Sequence, residues 1–194
     1  MTPFRLGLTG SIGMGKSTTA GFFADHGLPV WDADAAVHRL YAGPAAATLA
    51  PNFPEAVTTG AVNRDALKSC IASDPTALPL LESLIHPLVA ADRDTFLATA
   101  TADIVVFDIP LLFEKGTQAQ MDATLLVTAP AALQRARVLA RPGMTEQQFE
   151  ALLARQMPDA QKRSLATHIV ETLSVDATRA YVAALIAHIR SRNA

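Results

Sequence analysis

Short, continuously apolar runs recur along the chain, with stretches of helical spacing between them. Phe4-Arg5-Leu6-Gly7-Leu8-Thr9 is the first. Leu28-Pro29-Val30-Trp31, Asp103-Ile104-Val105-Val106-Phe107-Asp108 and Ala123-Thr124-Leu125-Leu126-Val127-Thr128 follow, and His168-Ile169-Val170-Glu171 is a weaker fifth. A strand with one wet face alternates apolar and polar residues; these runs do not, so they are predicted to be covered on both faces. Residues 17–26 read as a helix. So do residues 175–189, where Val175, Tyr181, Val182, Leu185, Ile186 and Ile189 recur at the spacing of one helical face. Strand and helix in alternation predict an α/β fold: three αβα layers around a parallel sheet of about five strands, with right-handed crossovers. In such a sheet a ligand binds beyond the carboxyl ends of the strands.

Two stretches break the alternation. Residues 35–101 are mostly helical and punctuated by Pro44, Pro51, Pro54, Pro75, Pro79 and Pro87. This is too long for one crossover and predicts an inserted helical subdomain. Residues 136–160 carry Arg137, Arg141 and Arg155 around Pro142-Gly143 and Pro158, and predict a small lid. The expected organisation is a single domain over 1–194. Its core takes about 1–34, 102–135 and 161–194, with the insert over about 35–101 and the lid over about 136–160.

The turn after the first strand carries the chemistry. Gly10, four residues, Gly15, Lys16 and Ser17 form a phosphate-binding loop between a strand and a helix. Gly10, Gly13 and Gly15 allow the backbone to aim successive N–H groups at phosphate oxygens. The helix N-terminus behind them adds about half a positive charge. Lys16 supplies a full charge to the outer phosphates, and Ser17 offers a hydroxyl to Mg²⁺. The fold is thereby narrowed to a P-loop NTPase type, and the ligand to a nucleoside triphosphate. The alternative, a glycine-rich turn without a ligand, wastes backbone entropy at a helix start.

Other polar residues fall where this chemistry needs them. Asp32 and Asp34 follow the second strand, two apart on a segment read as extended, so both carboxylates would point one way. One would take the proton of an acceptor hydroxyl, with Asp34 favoured, and the other would orient it or reach Mg²⁺ through water. A helix N-cap is the competing reading of this pair. Asp108 ends the third strand, where P-loop enzymes often hold a Mg²⁺ carboxylate, with a structural role beside Pro110 as its alternative. Glu114 reads as a solvated residue at a helix start. Arg137 and Arg141, four apart, share a helix face and would grip phosphate, unless they are simply a solvated basic face. His26, His38, His86, His168 and His188 show no metal-ligand spacing.

Composition narrows the partners. With 16 Lys and Arg against 18 Asp and Glu, the net charge of −2 gives no footprint for nucleic acid. Cys70 is the only cysteine, which excludes an internal disulfide and a cysteine metal cluster. No signal-like or membrane-spanning run is found, so a cytoplasmic protein with no membrane partner is expected. Oligomeric state is not encoded legibly.

The chain resembles the dephospho-CoA kinase family nearly end to end. The resemblance rests on Leu8 to Thr18, then Trp31-Asp32-Ala33-Asp34, Gly60-Ala61-Val62-Asn63-Arg64 and Leu67-Lys68. It continues through Leu81-Glu82-Ser83-Leu84-Ile85-His86-Pro87, Asp108-Ile109-Pro110-Leu111-Leu112-Phe113-Glu114, Arg137, Arg141, and Gln156 followed by Lys162. The loop is common to many kinases; the other segments, in that order, are far more specific. The resemblance implies that MgATP phosphorylates the ribose 3′-hydroxyl of dephospho-CoA, giving CoA and ADP. It implies a nucleotide site at Gly10, Ser11, Ile12, Gly13, Met14, Gly15, Lys16, Ser17 and Thr18, with Arg137. Asp34 would be the base, Arg141 the lid arginine on the phosphates, and the insert the CoA-binding part, with Arg64, His86 and Leu111 near the acceptor. Three departures stand out. Gly10-Ser11 replaces a usual Gly-Gly, and Arg141-Pro142 replaces Arg-Asp. Ala166 to Thr172 lacks the family's closing Asn and the glycine after it, which implies looser recognition of the base. A shikimate-type kinase would also pair the loop with Asp-x-Asp but usually carries a later Gly-Gly-Gly run, missing here. A GTP switch protein needs an Asn/Thr-Lys-x-Asp motif, also missing. A nucleotide-binding module without transfer would leave the acidic pair and the arginines idle.

Overall fold

The computed structural model describes residues 2–193. In chain order the elements are β1 (Phe4–Thr9), α1 (Lys16–Asp25), β2 (Val30–Asp32), α2 (Ala33–Tyr41) and α3 (Pro44–Leu49), then a 3-10 turn (Pro54–Ala56). Next come β3 (Val57–Thr58), β4 (Ala61–Val62), α4 (Arg64–Ser73), α5 (Ala77–Thr99) and β5 (Ile104–Asp108). After a second 3-10 turn (Thr117–Gln120) follow β6 (Ala123–Thr128), α6 (Ala131–Leu139), α7 (Glu146–Leu153), α8 (Asp159–Leu165), β7 (His168–Glu171) and α9 (Val175–Asn193). They group into two compact units, Met1–Trp31 with Ala100–Ala194, and Asp32–Thr99. No described helix is long and apolar enough to cross a membrane.

The first unit is built on a five-stranded sheet ordered β2-β5-β1-β6-β7. β1 runs parallel to β5, with Leu6 opposite Val106, and parallel to β6, with Leu8 opposite Leu125. β7 extends the sheet in parallel, with Val127 opposite Val170. Every residue of β5 and β6 is buried, which is why those segments carry apolar side chains without alternation. On one face Leu6, Leu8, Ile104, Val106, Leu125 and Val127 pack against Phe22 and Phe23 of α1 and Val182, Leu185, Ile186 and Ile189 of α9. β2 does not lie beside β1; β5 intervenes, and Val106 N–H donates to the Pro29 carbonyl at 3.0 Å. The long excursion between β2 and β5 leaves the chain free to insert a strand between its first two.

The second unit has its own core, with Leu40, Leu49, Phe53, Val62, Leu67, Leu81 and Ile85 buried together. Its helices carry it, as the spacing predicts, but β3 and β4 add a two-stranded antiparallel ribbon, with Val57 opposite Val62. Two-residue strands are too short to leave a periodic signal. Asn63 starts α4 by accepting from Asp65 N–H at 3.0 Å and Ala66 N–H at 3.1 Å. Pro87 lies inside α5, where it removes one backbone donor from the helix.

Candidate active site

β1 delivers the chain to the loop, and two glycines there are fixed by sterics. A Cβ on Gly10 would stand 2.3 Å from Val127 Cγ2 and 2.7 Å from the Val127 carbonyl oxygen of β6. Gly13 has φ +77, and a Cβ there would meet Val138 Cγ2 at 2.5 Å. Met14 N–H closes the turn on the Ser11 carbonyl at 3.1 Å. Gly15 is the N-cap of α1, left-handed, and no side chain caps this helix. The amides of the first turn of α1, at Lys16, Ser17 and Thr18, therefore have no acceptor within the helix. A helix start stripped of its cap, behind a glycine turn, is built to receive an anion.

Lys16 and Arg137 are both engaged in this structure. The Lys16 ammonium binds Oδ1 of Asp108, whose residue is only 2% exposed at the end of β5. Ser17 and Thr18 are exposed in the first turn of α1. Beside them is a cavity of about 330 Å³, lined in part by Gly15, Thr18, Phe22, Arg137, Arg141 and Thr172. Arg137 does not extend freely into it. Nη1 donates to Thr172 Oγ1 at 2.8 Å and Nη2 to the Thr172 carbonyl at 2.5 Å. Thr172 Oγ1 in turn donates to the Met14 carbonyl at 2.7 Å, so Arg137 is joined to the loop through one buried hydroxyl. Arg141 also lines the cavity, but not from a shared helix face as its spacing from Arg137 suggested: α6 ends at Leu139, and Arg141 reaches the cavity from the turn beyond it.

Several polar side chains hold this unit together from inside. Ile12 N–H donates to Gln156 Oε1 at 3.0 Å, and Gln134 Nε2 donates to the Ile12 carbonyl at 2.8 Å. Glu114, expected to be solvated, is instead an internal post. Its Oε1 accepts from Met157 N–H at 2.8 Å and stands 2.9 Å from the ammonium of Lys162, whose side chain is fully buried. Burial pushes the Glu114 carboxyl up, but the Lys162 ammonium and the hydrogen bond from Met157 outweigh it and hold the carboxyl below its ordinary range. The forewarning lay in the family resemblance, which includes Glu114 at the end of its Asp108 segment and Gln156 followed by Lys162.

This post yields an expected result. Glu114→Gln leaves a buried ammonium without its counter-charge and costs about 3–5 kcal/mol of stability, measured by urea unfolding at pH 7. Because the folded carboxyl is depressed, its contribution is complete above the unfolded value of about 4.3 and disappears as pH falls through the folded value. The wild-type and variant stabilities should therefore converge in acid. Equal stabilities at pH 7 would remove Glu114 from this role.

The second unit carries the acidic pair, and here the expected geometry is corrected. Asp32 and Asp34 do not share an extended segment. Asp32 is extended (φ −103, ψ 119) and its Oδ1 accepts from Ala35 N–H at 3.0 Å, capping α2, whereas Asp34 already lies in the first turn of that helix. A cap makes the chain turn helical immediately after Asp32, so the two-residue repeat of a strand is lost. Asp34 borders a cavity of about 760 Å³ with Val37, His38, Arg39, Tyr41 and Arg64. Burial pushes the Tyr41 hydroxyl up, and the positive charge of Arg64 opposes this. His86 lies exposed on α5, outside that lining, and Leu111 belongs to the first unit, partly buried after β5. Among the described residues no group of three or more His, Cys, Asp or Glu is placed to hold a metal ion.

Comparisons with known proteins identify the family and the fold. The family model for dephospho-CoA kinase matches residues 4–176. A dephospho-CoA kinase from Cereibacter sphaeroides is 69% identical over 192 residues, covering 98% of each chain. A solved structure from Thermus thermophilus superposes with a TM-score of 0.85 at 39% identity, covering 96% of this chain and 98% of the other. The dephospho-CoA kinase structure from Campylobacter jejuni, at 22% identity and a TM-score of 0.73 over 98% of both chains, shares the fold. An uncapped phosphate loop backed by Lys16, in a chain matched from one end to the other, leads to one assignment: this chain belongs to the dephospho-CoA kinase family.

Proposed function

We propose that the chain transfers the γ-phosphoryl group of ATP to the ribose 3′-hydroxyl of dephospho-CoA, releasing CoA and ADP, as the last step of CoA formation. The observation that carries this reading is the open start of α1: a glycine turn, unsatisfied amides and the Lys16 ammonium converge where no side chain supplies a cap. The amides of Gly13 and of Gly15 to Thr18 cradle the phosphates, while that of Met14 closes the turn, and Lys16 exchanges Asp108 for the outer phosphate oxygens. Arg137 and Arg141, lining the adjoining cavity, balance charge that spreads over the transferred group. Residues 136–160 serve as the lid that keeps water from the phosphoryl group.

The helical unit holds the acceptor in the cavity bordered by Asp34, His38 and Arg64. The Asp34 carboxylate accepts the hydroxyl proton as the alcohol oxygen bonds to phosphorus. The bond from the γ-phosphorus to the bridging oxygen breaks, and ADP leaves with the electron pair. The residues fit a magnesium ion held mostly by substrate phosphates, because Mg²⁺ needs only one or two protein oxygens. The exposed Ser17 hydroxyl and, once Lys16 has moved to the phosphates, the Asp108 carboxylate would be those oxygens. When bound, the ion neutralises charge on the β- and γ-phosphates.

A coupled ADP-release assay tests the reading. Turnover is expected with dephospho-CoA and not with shikimate, and no turnover with dephospho-CoA would overturn it. Thr172 stands where the family usually has Asn, and its hydroxyl is spent on Met14 and Arg137. GTP in place of ATP should therefore support measurable turnover in the same assay.

A further inference from the structure

Both backbone polar groups of one loop residue are held by side-chain amides from elsewhere in the fold. The Ile12 N–H donates to Gln156 Oε1 at 3.0 Å, and the Ile12 carbonyl accepts from Gln134 Nε2 at 2.8 Å. Gln134 lies on α6 and is 4% exposed, too buried for a solvated polar residue without a task. Its own carbonyl also lines the loop, 3.0 Å from where a Cβ on Gly13 would stand. Gln156 belongs to the segment between α7 and α8, and its neighbour Met157 is tied by its N–H to Glu114, which faces the buried Lys162. That post fixes Gln156 from behind. The neighbours in sequence are also telling. Gln134 precedes Arg137 by one turn of α6, and Gln156 directly follows Arg155.

We propose that Gln134 and Gln156 are positioning residues for phosphoryl transfer. They hold Ile12 from both sides, so that the turn from Ser11 to Met14 keeps the shape that receives phosphate. They also make that shape depend on the segments bearing Arg137 and Arg155. Neither glutamine need touch the nucleotide. The coupling is reciprocal: ATP in the loop orders residues 154–158, and loosening those residues weakens ATP. The inference rests on residues 10–17 being the ATP site.

The test compares Gln156→Met, Gln156→Glu and Gln134→Met with the full-length wild type. The methionines keep volume and remove the hydrogen bond; the glutamate at 156 keeps an acceptor for the Ile12 N–H. Losing one net hydrogen bond should raise KM for ATP about 3–10-fold in each methionine variant, while glutamate at 156 restores it to within about twofold. Amide hydrogen exchange at Ile12 should quicken in Gln156→Met and not in Gln156→Glu. A purely structural role would lower the melting temperature and leave KM for ATP unmoved, which overturns the proposal, as would Gln156→Glu behaving like Gln156→Met. A wild type that fails to saturate with ATP would instead overturn the assignment of the loop itself.

Discussion

Lys16→Met should lower kcat with dephospho-CoA by about 10²–10³-fold, the usual worth of one charge aimed at a transition state. The same change should also cost stability. Without nucleotide the Lys16 ammonium compensates Asp108, which is 2% exposed, so its removal takes a positive charge from a buried carboxylate. On sequence grounds this lysine looks purely functional, with no part in holding the fold; the ion pair adds a structural task to the proposed one. About 1–3 kcal/mol of lost stability is expected from urea unfolding, and Lys16→Met with Asp108→Asn should recover much of it. The rate should not recover with it. A Lys16→Met enzyme with wild-type kcat at saturating ATP would disqualify the loop as the phosphate site.

The second large effect separates the two aspartates. Asp34→Asn should reduce kcat by about 10²–10⁴-fold, as expected when a positioned base is removed. Asp32→Asn should be nearly silent in rate and stability, because asparagine caps a helix about as well as aspartate. Asp32→Ala should cost about 1 kcal/mol, the loss of the hydrogen bond to Ala35 N–H. Thermal melts and the coupled assay on the three variants give the comparison. A greater rate loss from Asp32→Asn than from Asp34→Asn would exchange their roles.

β5 and β6 were legible because burial on both faces forces a largely apolar run, β1 because its second half is buried in the same way; β7, with Glu171 exposed, left the weaker signal. Their order was not. Nothing in Val30-Trp31 says that residues more than seventy positions later will pair beside it and separate it from β1; that is decided by the crossover, not by side-chain pattern. The phosphate loop was legible because its task demands particular residue types at a fixed spacing. The residues that brace it were not, because a glutamine that clamps a backbone looks, in one dimension, like any polar residue on an amphipathic segment. Lys162 is the sharpest case. A lysine in the short run Asp159–Leu165 reads as solvated, yet its side chain is fully buried against Glu114. Asp32 was ambiguous for a related reason, since a carboxylate before a helix suits both a cap and a catalyst. The hydrogen bond to Ala35 shows that it caps α2, and the variants above ask whether it does more.

The parallel register of β1 has a consequence for synthesis. Phe4 to Leu8 pair with Ile104 to Asp108, and Leu6 to Thr9 pair with Ala123 to Leu126. At ribosomal speeds, the first strand waits about 5–20 s for the earliest of these partners to be made. Asp32–Thr99 needs no such wait, since its apolar contacts lie within one continuous stretch. The nascent chain therefore has its middle ready to condense while its beginning is still a bare apolar ribbon. Chaperone engagement should concentrate on that ribbon until the ninth or tenth dozen of residues has cleared the exit tunnel.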